Sequence, residues 1–143
     1  MAGADWRDMK DDCIFCKLAN GVFPTNSIYE DDTFKVILDA SPATKGHALI
    51  LPKNHATNIY ELDDETLSKA MVLAKKIAVK MNDVLKCDGV NVVQNNGEVA
   101  GQSVMHYHLH VIPRYKNDKQ SITWNPTQPS DEDQKAVCEM LKM

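Results

Sequence analysis

Between Asp63 and Asp88, apolar residues recur at threes and fours: Leu67, Ala70, Met71, Ala74, Ile77, Ala78, Met81 and Leu85. This spacing predicts one long amphipathic helix. Asp63 or Asp64 is placed to cap it, acids occupy its first turn, and Asp88-Gly89 breaks it. The helix constrains everything around it. The other apolar runs are short, and only one connection is long enough to hold a substantial helix. A doubly wound parallel sheet needs a helical crossover between successive parallel strands, so that architecture is disfavoured. Consecutive strands with one long helix point to an α+β domain with an antiparallel sheet.

The short runs supply about five strands. "SIYEDDTFKVILD" reads as a hairpin turning at Glu30-Asp31-Asp32, with Phe34 to Leu38 as a strand. "HALILPK" is a compact run ended by Pro52, "VNVVQ" is another, and "VMHYHLHVI" is a strand stopped by Pro113. Near the ends, "CIFCKLANG" predicts a short helix from Ile14 to Ala19, closed by Asn20-Gly21. "SDEDQKAVCEMLK" predicts another, with Ser130 as its cap. The expected organisation is a flexible tail over 1–12, one domain over 13–115, and a C-terminal extension over 116–143. The extension's short helix is expected to pack on the domain or on a dimer partner.

Composition narrows the function. The chain has 143 residues, enough for one domain with a core, and a net charge of -4. An acidic balance argues against binding the backbone of a nucleic acid duplex. It says little against a single nucleotide, whose phosphates backbone N–H groups and histidines can hold. No run is long and apolar enough to span a membrane. "MAGADWRDMKDD" is polar and acidic and does not read as a secretory signal, so a cytoplasmic protein is expected. The four cysteines, Cys13, Cys16, Cys87 and Cys138, are therefore not expected to form disulfides.

"GQSVMHYHLHVIPR" holds three of the five histidines. On a strand, His106, His108 and His110 share one face, about 7 Å apart in sequence order, and Met105, Tyr107, Leu109 and Val111 share the other. A solvated histidine-rich face is one reading. A metal cluster is a second, although one straight strand does not easily converge three rings on one ion. Nucleophilic chemistry is the third: a neutral imidazole attacks phosphorus or carbonyl carbon, while a neighbouring imidazole handles protons. The loop before the strand favours the third. Gly97 and Gly101 free the backbone, and Asn95, Gln102 and Ser103 add neutral donors suited to an oxyanion. "CIFC" remains open between zinc binding, redox chemistry and two packed thiols.

"HYHLHVIPR" resembles the His-x-His-x-His-x-x signature, with x apolar, of the histidine triad family of nucleotide hydrolases and transferases. "LDASPATKGHALILPKNH" and "NNGEVAGQSVMHYHLH" are similar to its other characteristic segments, so the resemblance runs from about Cys13 to Arg114. It is strongest to the nucleoside phosphoramidase branch, including bacterial-type members. The resemblance implies an antiparallel sheet of about five strands, and a homodimer in which two sheets join.

The resemblance also assigns roles. His108 matches the nucleophile that attacks the α-phosphorus and becomes a nucleotidyl-histidine. His110 matches a phosphate contact, and His47 a residue that orders the nucleophile. Asp39 matches a ribose ligand. Asn95, Gly101, Gln102 and Ser103 match the segment that holds the phosphate and leaving group, with Ser103 on the catalytic side. Ile28, Phe34 and Leu38 lie where the family has an apolar slot for the base. Zinc-bearing members pair the Cys-x-x-Cys, here Cys13 and Cys16, with His55 and His106, which implies structural Zn2+ and no catalytic metal. The implied activity is hydrolysis of purine nucleoside 5'-phosphoramidates, derivatives of AMP or GMP. The alternatives are a dinucleoside polyphosphate hydrolase and a non-catalytic, zinc-stabilised nucleotide-binding interaction protein.

Overall fold

The structure, a computed structural model, describes residues 10 and 12–143. Apart from Lys10 and Asp12, the expected flexible tail lies outside the described residues. The element order is α1 (Ile14–Ala19), β1 (Ser27–Glu30), β2 (Phe34–Leu38), β3 (Ala48–Pro52), α2 (Asp64–Leu85), β4 (Gly89–Val93), β5 (Leu109–Arg114) and α3 (Asp131–Leu141). The five strands form one sheet in the order β1-β2-β3-β5-β4, with every neighbouring pair antiparallel. The architecture is the α+β one the long helix predicts.

α2 starts where its cap lies: the Asp63 carboxylate accepts a 2.9 Å hydrogen bond from the Thr66 N–H. It lays Ala70, Leu73, Ala74, Ile77 and Met81 on the sheet face built by Phe34, Val36, Ala48, Ile50, Leu109 and Val111. Each large aliphatic side chain buried there contributes about 1.5–3 kcal/mol before chain entropy is counted. Met71, assigned to the buried stripe by periodicity, is instead exposed, and Leu73 takes the inward position. α2 covers only one side of the sheet. On the other side α1 packs Ala19, Phe15 and Leu18 against Ile37, Leu49 and Leu51. β3 is therefore apolar on both faces and buried throughout.

Two expectations are corrected at β5. The strand runs through Pro113 to Arg114. Pro113 lies past the last β3 pair, Ala48↔Val111, so only β4 flanks it, an edge-like position where a missing N–H is tolerated. At the other end the ladder begins only at Leu109, so of the three histidines His110 alone lies in the strand. Beyond the Ile50↔Leu109 pair the two chains separate, and Tyr107 donates its N–H to the Ala56 carbonyl instead. Met105 is exposed, not core. Every residue from 119 to 143 is exposed, and α3 buries none of its residues.

Candidate active site

The register sets the floor of a cleft. Ile37 pairs with Leu49, and Leu49 with His110, so these three form one row across β2, β3 and β5. The row faces away from α2, because its neighbours Val36, Ile50 and Leu109 face it. Phe15 and Leu18 of α1 overhang one end. The cleft encloses about 410 Å³, with Phe15, Leu18, Ile37, Leu38 and Leu49 at its apolar end and Asp39, Ser103, His108 and His110 at its polar end. That volume is in the range of small-ligand sites. A depression of about 320 Å³ beside the start of α2 is lined by Asp32, Glu61, Asp63 and Glu65. Its four carboxylates outnumber its one lysine, Lys69, and disfavour an anionic ligand, and its one imidazole, His55, belongs to the cysteine cluster described below, so it is the weaker candidate.

The backbone fixes each imidazole's tautomer. His108 Nδ1 lies 2.7 Å from the His106 carbonyl oxygen. A carbonyl only accepts, so Nδ1 carries the proton and Nε2 keeps its lone pair. His47 Nδ1 accepts from the Ala43 N–H at 2.9 Å, which leaves the proton of neutral His47 on Nε2. That N–H donates to His110 Nδ1 at 2.9 Å, so His110 presents its own N–H from Nε2. Asp39 lies 3.5 Å from His47 Nε2, and its other oxygen accepts from the Ser41 N–H. Asp39, His47 and His110 also have metal-like spacing. With its lone pair turned to Ala43, His47 offers a cation only a proton there, so this trio is a hydrogen-bond relay.

Burial keeps the rings neutral. It lowers His108 and His47 from the ordinary imidazole range and takes His110 down to about 4, with His108 and His47 adding to the effect on His110. Phe15 stands edge-on to His108 with ring centroids 4.9 Å apart, shielding it from water. At neutral pH the site presents a free lone pair at His108 and an N–H donor at His110.

The turn that aims His47 depends on Gly46, whose φ is +95°. A Cβ there would lie 2.6 Å from Leu85 Cδ1 and 3.2 Å from Pro113 Cγ. The loop ahead of the histidines depends on Gly101, with φ +102°, where a Cβ would approach the Asn95 amide nitrogen to 3.3 Å. Asn95 packs behind this loop and does not line the cleft. Gln102 has a different task from the phosphate contact expected of it. Its amide donates both hydrogens, to the Thr57 and Val104 carbonyls, and accepts from the Gly97 N–H. No donor is left for a phosphate. Ser103 is exposed at the cleft mouth. Of the expected base slot, Leu38 lines the cleft. Ile28 is exposed on the edge strand, and Phe34 is buried under α2 on the opposite face. Phe15, Leu18, Ile37 and Leu49 were not anticipated.

A second cluster adjoins the first. The ligand atoms of Cys13, Cys16, His55 and His106 lie within 4.8 Å of one another. His106 Nδ1 is 3.4 Å from Cys13 Sγ and 3.3 Å from Cys16 Sγ, and His55 Nδ1 is 3.4 Å from Cys16 Sγ. Sulfur and nitrogen on one tetrahedral zinc lie about 3.5 Å apart. His106 donates from Nε2 to the Pro52 carbonyl at 2.8 Å, which turns its lone pair toward the sulfurs. His55 Nε2 is buried without a hydrogen-bond partner among the described residues, so no such bond orients that ring. Burial pushes the Cys16 thiol up to about 11 and His106 down to about 4. A divalent cation would reverse the thiol's preference. The donor set can hold a tetrahedral metal.

The chain is similar to known proteins along most of its length. Protein hit of Bacillus subtilis is 45% identical over 115 residues, covering 80% of this chain and 79% of that protein. The adenosine 5'-monophosphoramidase HNT1 of Saccharomyces cerevisiae is 40% identical over 121 residues, covering 85% and 74%. A crystal structure of a zinc-bound histidine triad family protein from Mycobacterium smegmatis superposes with a TM-score of 0.74 at 38% identity, covering 81% of this chain and 84% of that one. The family model described as HIT domain matches residues 20–117. By that match and these identities, the chain belongs to the histidine triad (HIT) family.

Proposed function

We propose that the protein hydrolyses purine nucleoside 5'-phosphoramidates through a nucleotidyl intermediate on His108. The carrying observation is the His108 Nδ1–H bond to the His106 carbonyl, which leaves Nε2 unprotonated at the polar end of the cleft. The base lies between Phe15 and Leu18 on one side and Ile37 and Leu49 on the other. Asp39 takes the ribose hydroxyls. The Nε2–H of His110 holds a non-bridging oxygen of the phosphate.

In the first step the Nε2 lone pair forms a bond to the α-phosphorus, and the P–N bond breaks. The leaving amine takes a proton delivered from solvent past the Ser103 hydroxyl. The ring becomes cationic as it is phosphorylated. Its Nδ1–H bond to the fixed carbonyl then strengthens, and the nearby Asp39 carboxylate adds to that stabilisation. In the second step water attacks phosphorus and releases a proton to solvent, the P–Nε2 bond breaks with its electron pair returning to His108, and the nucleoside monophosphate departs. None of these steps requires a metal. The name of the yeast relative supports the substrate class.

Zn2+ is proposed at Cys13, Cys16, His55 and His106, where it would supply a structural crosslink rather than chemistry. The sulfur–nitrogen separations and the zinc-bound mycobacterial relative support it. A homodimer is also proposed. Among the described residues the outer strand β4 has one unpaired edge, and α3 exposes Val137, Met140 and Leu141. Among the described residues, no helix is long and apolar enough to cross a membrane.

The test is mass spectrometry of the protein quenched during turnover of adenosine 5'-phosphoramidate. A nucleotidyl adduct mapping to His108, and missing from His108→Asn, is expected. Equal product release by both proteins would remove the assignment. Comparing kcat/KM for the phosphoramidate and for a dinucleoside polyphosphate separates the two hydrolase readings.

A further inference from the structure

The helix that overhangs the cleft is the helix that carries both sulfurs. α1 has six residues, too few to hold its shape alone. Its N-cap is Cys13, whose sulfur accepts the Cys16 N–H at 3.3 Å and lies 3.4 Å from His106. Its other end is tied by Asn20, which donates to the Lys53 carbonyl at 2.9 Å. Among the described residues the N-terminal end has no comparable hydrogen bond to the sheet: there the thiols meet His55 and His106. Phe15 sits between the two cysteines in sequence and contacts His108 and His106 edge-on, with ring centroids 4.9 and 6.2 Å apart. One turn of helix thus presents sulfur to one cluster and a ring to the other.

We infer that occupancy of the Cys13–Cys16–His55–His106 cluster and nucleotide binding in the cleft are energetically coupled through α1, with Phe15 as the positioning residue. This rests on the nucleotide reading above and on a metal at these four donors. A bound metal fixes the N-terminal end of α1 and so fixes Phe15 against His108 and the base. Without it, α1 is held by Asn20 and by the packing of Ala19, Phe15 and Leu18 on the sheet, and the N-terminal turn loses its tie, which loosens Phe15 against the cleft. The coupling is reciprocal: whatever factor the metal adds to nucleotide affinity, the nucleotide adds to metal affinity. A purely structural metal would stabilise the fold without any such reciprocity.

The experiment starts from zinc-loaded protein, so no metal-free preparation has to survive. Zinc is withdrawn with a chromophoric chelator in the presence and absence of saturating AMP. AMP is expected to raise the apparent zinc affinity by about fivefold or more, the lower end of typical coupling. In Phe15→Ala, again at saturating AMP, that ratio is expected to fall toward one. AMP that binds the loaded protein while zinc affinity stays the same in its presence overturns the coupling alone. AMP that fails to bind the loaded protein overturns the nucleotide reading and the coupling with it. A protein that takes up no zinc overturns the coupling as well.

Discussion

Acid is the most direct probe of a nucleophile kept neutral by burial. An imidazole in water, with a pKa of about 6.5, is about 24% protonated at about pH 7 and about 97% protonated at about pH 5, so a reaction needing its lone pair would fall about twenty-fivefold between the two. Burial lowers His108 below that pKa, against smaller opposing effects of the His106 carbonyl and Asp39. The expected result is that kcat/KM for adenosine 5'-phosphoramidate falls by clearly less than about twenty-fivefold between about pH 7 and about pH 5. The assay is an initial-rate profile with the non-enzymatic hydrolysis subtracted at each pH. Stability sets the lower limit of the window. Burial takes His110 down to about 4 in the folded chain, against the ordinary imidazole value of about 6.5 when unfolded. Below that higher value the unfolded chain binds the extra proton, so stability is lost as pH falls from it toward about 4, and the loss levels off below. The full shift corresponds to about 3 kcal/mol, and partial exposure of the ring reduces this to about 1–2 kcal/mol. A kinetic midpoint at or above about 6.5 in folded protein would refute the claim that the fold holds His108 neutral.

Three further outcomes follow from single contacts. Gln102→Ala leaves the Gly97 N–H and the Thr57 and Val104 carbonyls without their partner, so a loss of about 2–4 kcal/mol is expected in urea denaturation. Gly46→Ala forces a side chain into a left-handed turn against Leu85 and Pro113, and a cost of about 2–4 kcal/mol is expected; in a Leu85→Ala background the larger part of the packing cost should vanish, leaving about 1–2 kcal/mol of backbone strain and the smaller Pro113 contact. Asp63→Ala removes the α2 cap, for which a thermal shift corresponding to about 1 kcal/mol is expected, with kcat unchanged.

Local signals carried the fold well. The Asp63 cap, the Asn20 stop of α1 and the apolar runs of β2 and β3 are each decided by residues close in sequence, and each reads directly from the chain. The cleft was only half legible. Alternation puts His110 opposite Leu109, but nothing local states that Ile37 and Leu49 share its row, because register is a property of paired strands. Phe34 and Ile37 are three apart, hence on opposite faces, and the parity of the strand would have removed Phe34 from the slot once one face was known to hold α2. Phe15 and Leu18 needed the knowledge that α1 folds across the second face. Gln102 illustrates the same limit: its partner Thr57 is 45 residues away, so an amide beside a glycine loop looked available when it was already engaged.

The group that holds the proton of His108 is a main-chain carbonyl. No amino-acid replacement at position 106 deletes that oxygen, since every residue type supplies one. The tautomer at 108 is thereby sheltered from point mutation in a way that His47, a side chain, is not. Genetic drift can alter it only by displacing the peptide itself, and an engineer wishing to move the lone pair to the other nitrogen would have to rebuild the backbone path between 106 and 108.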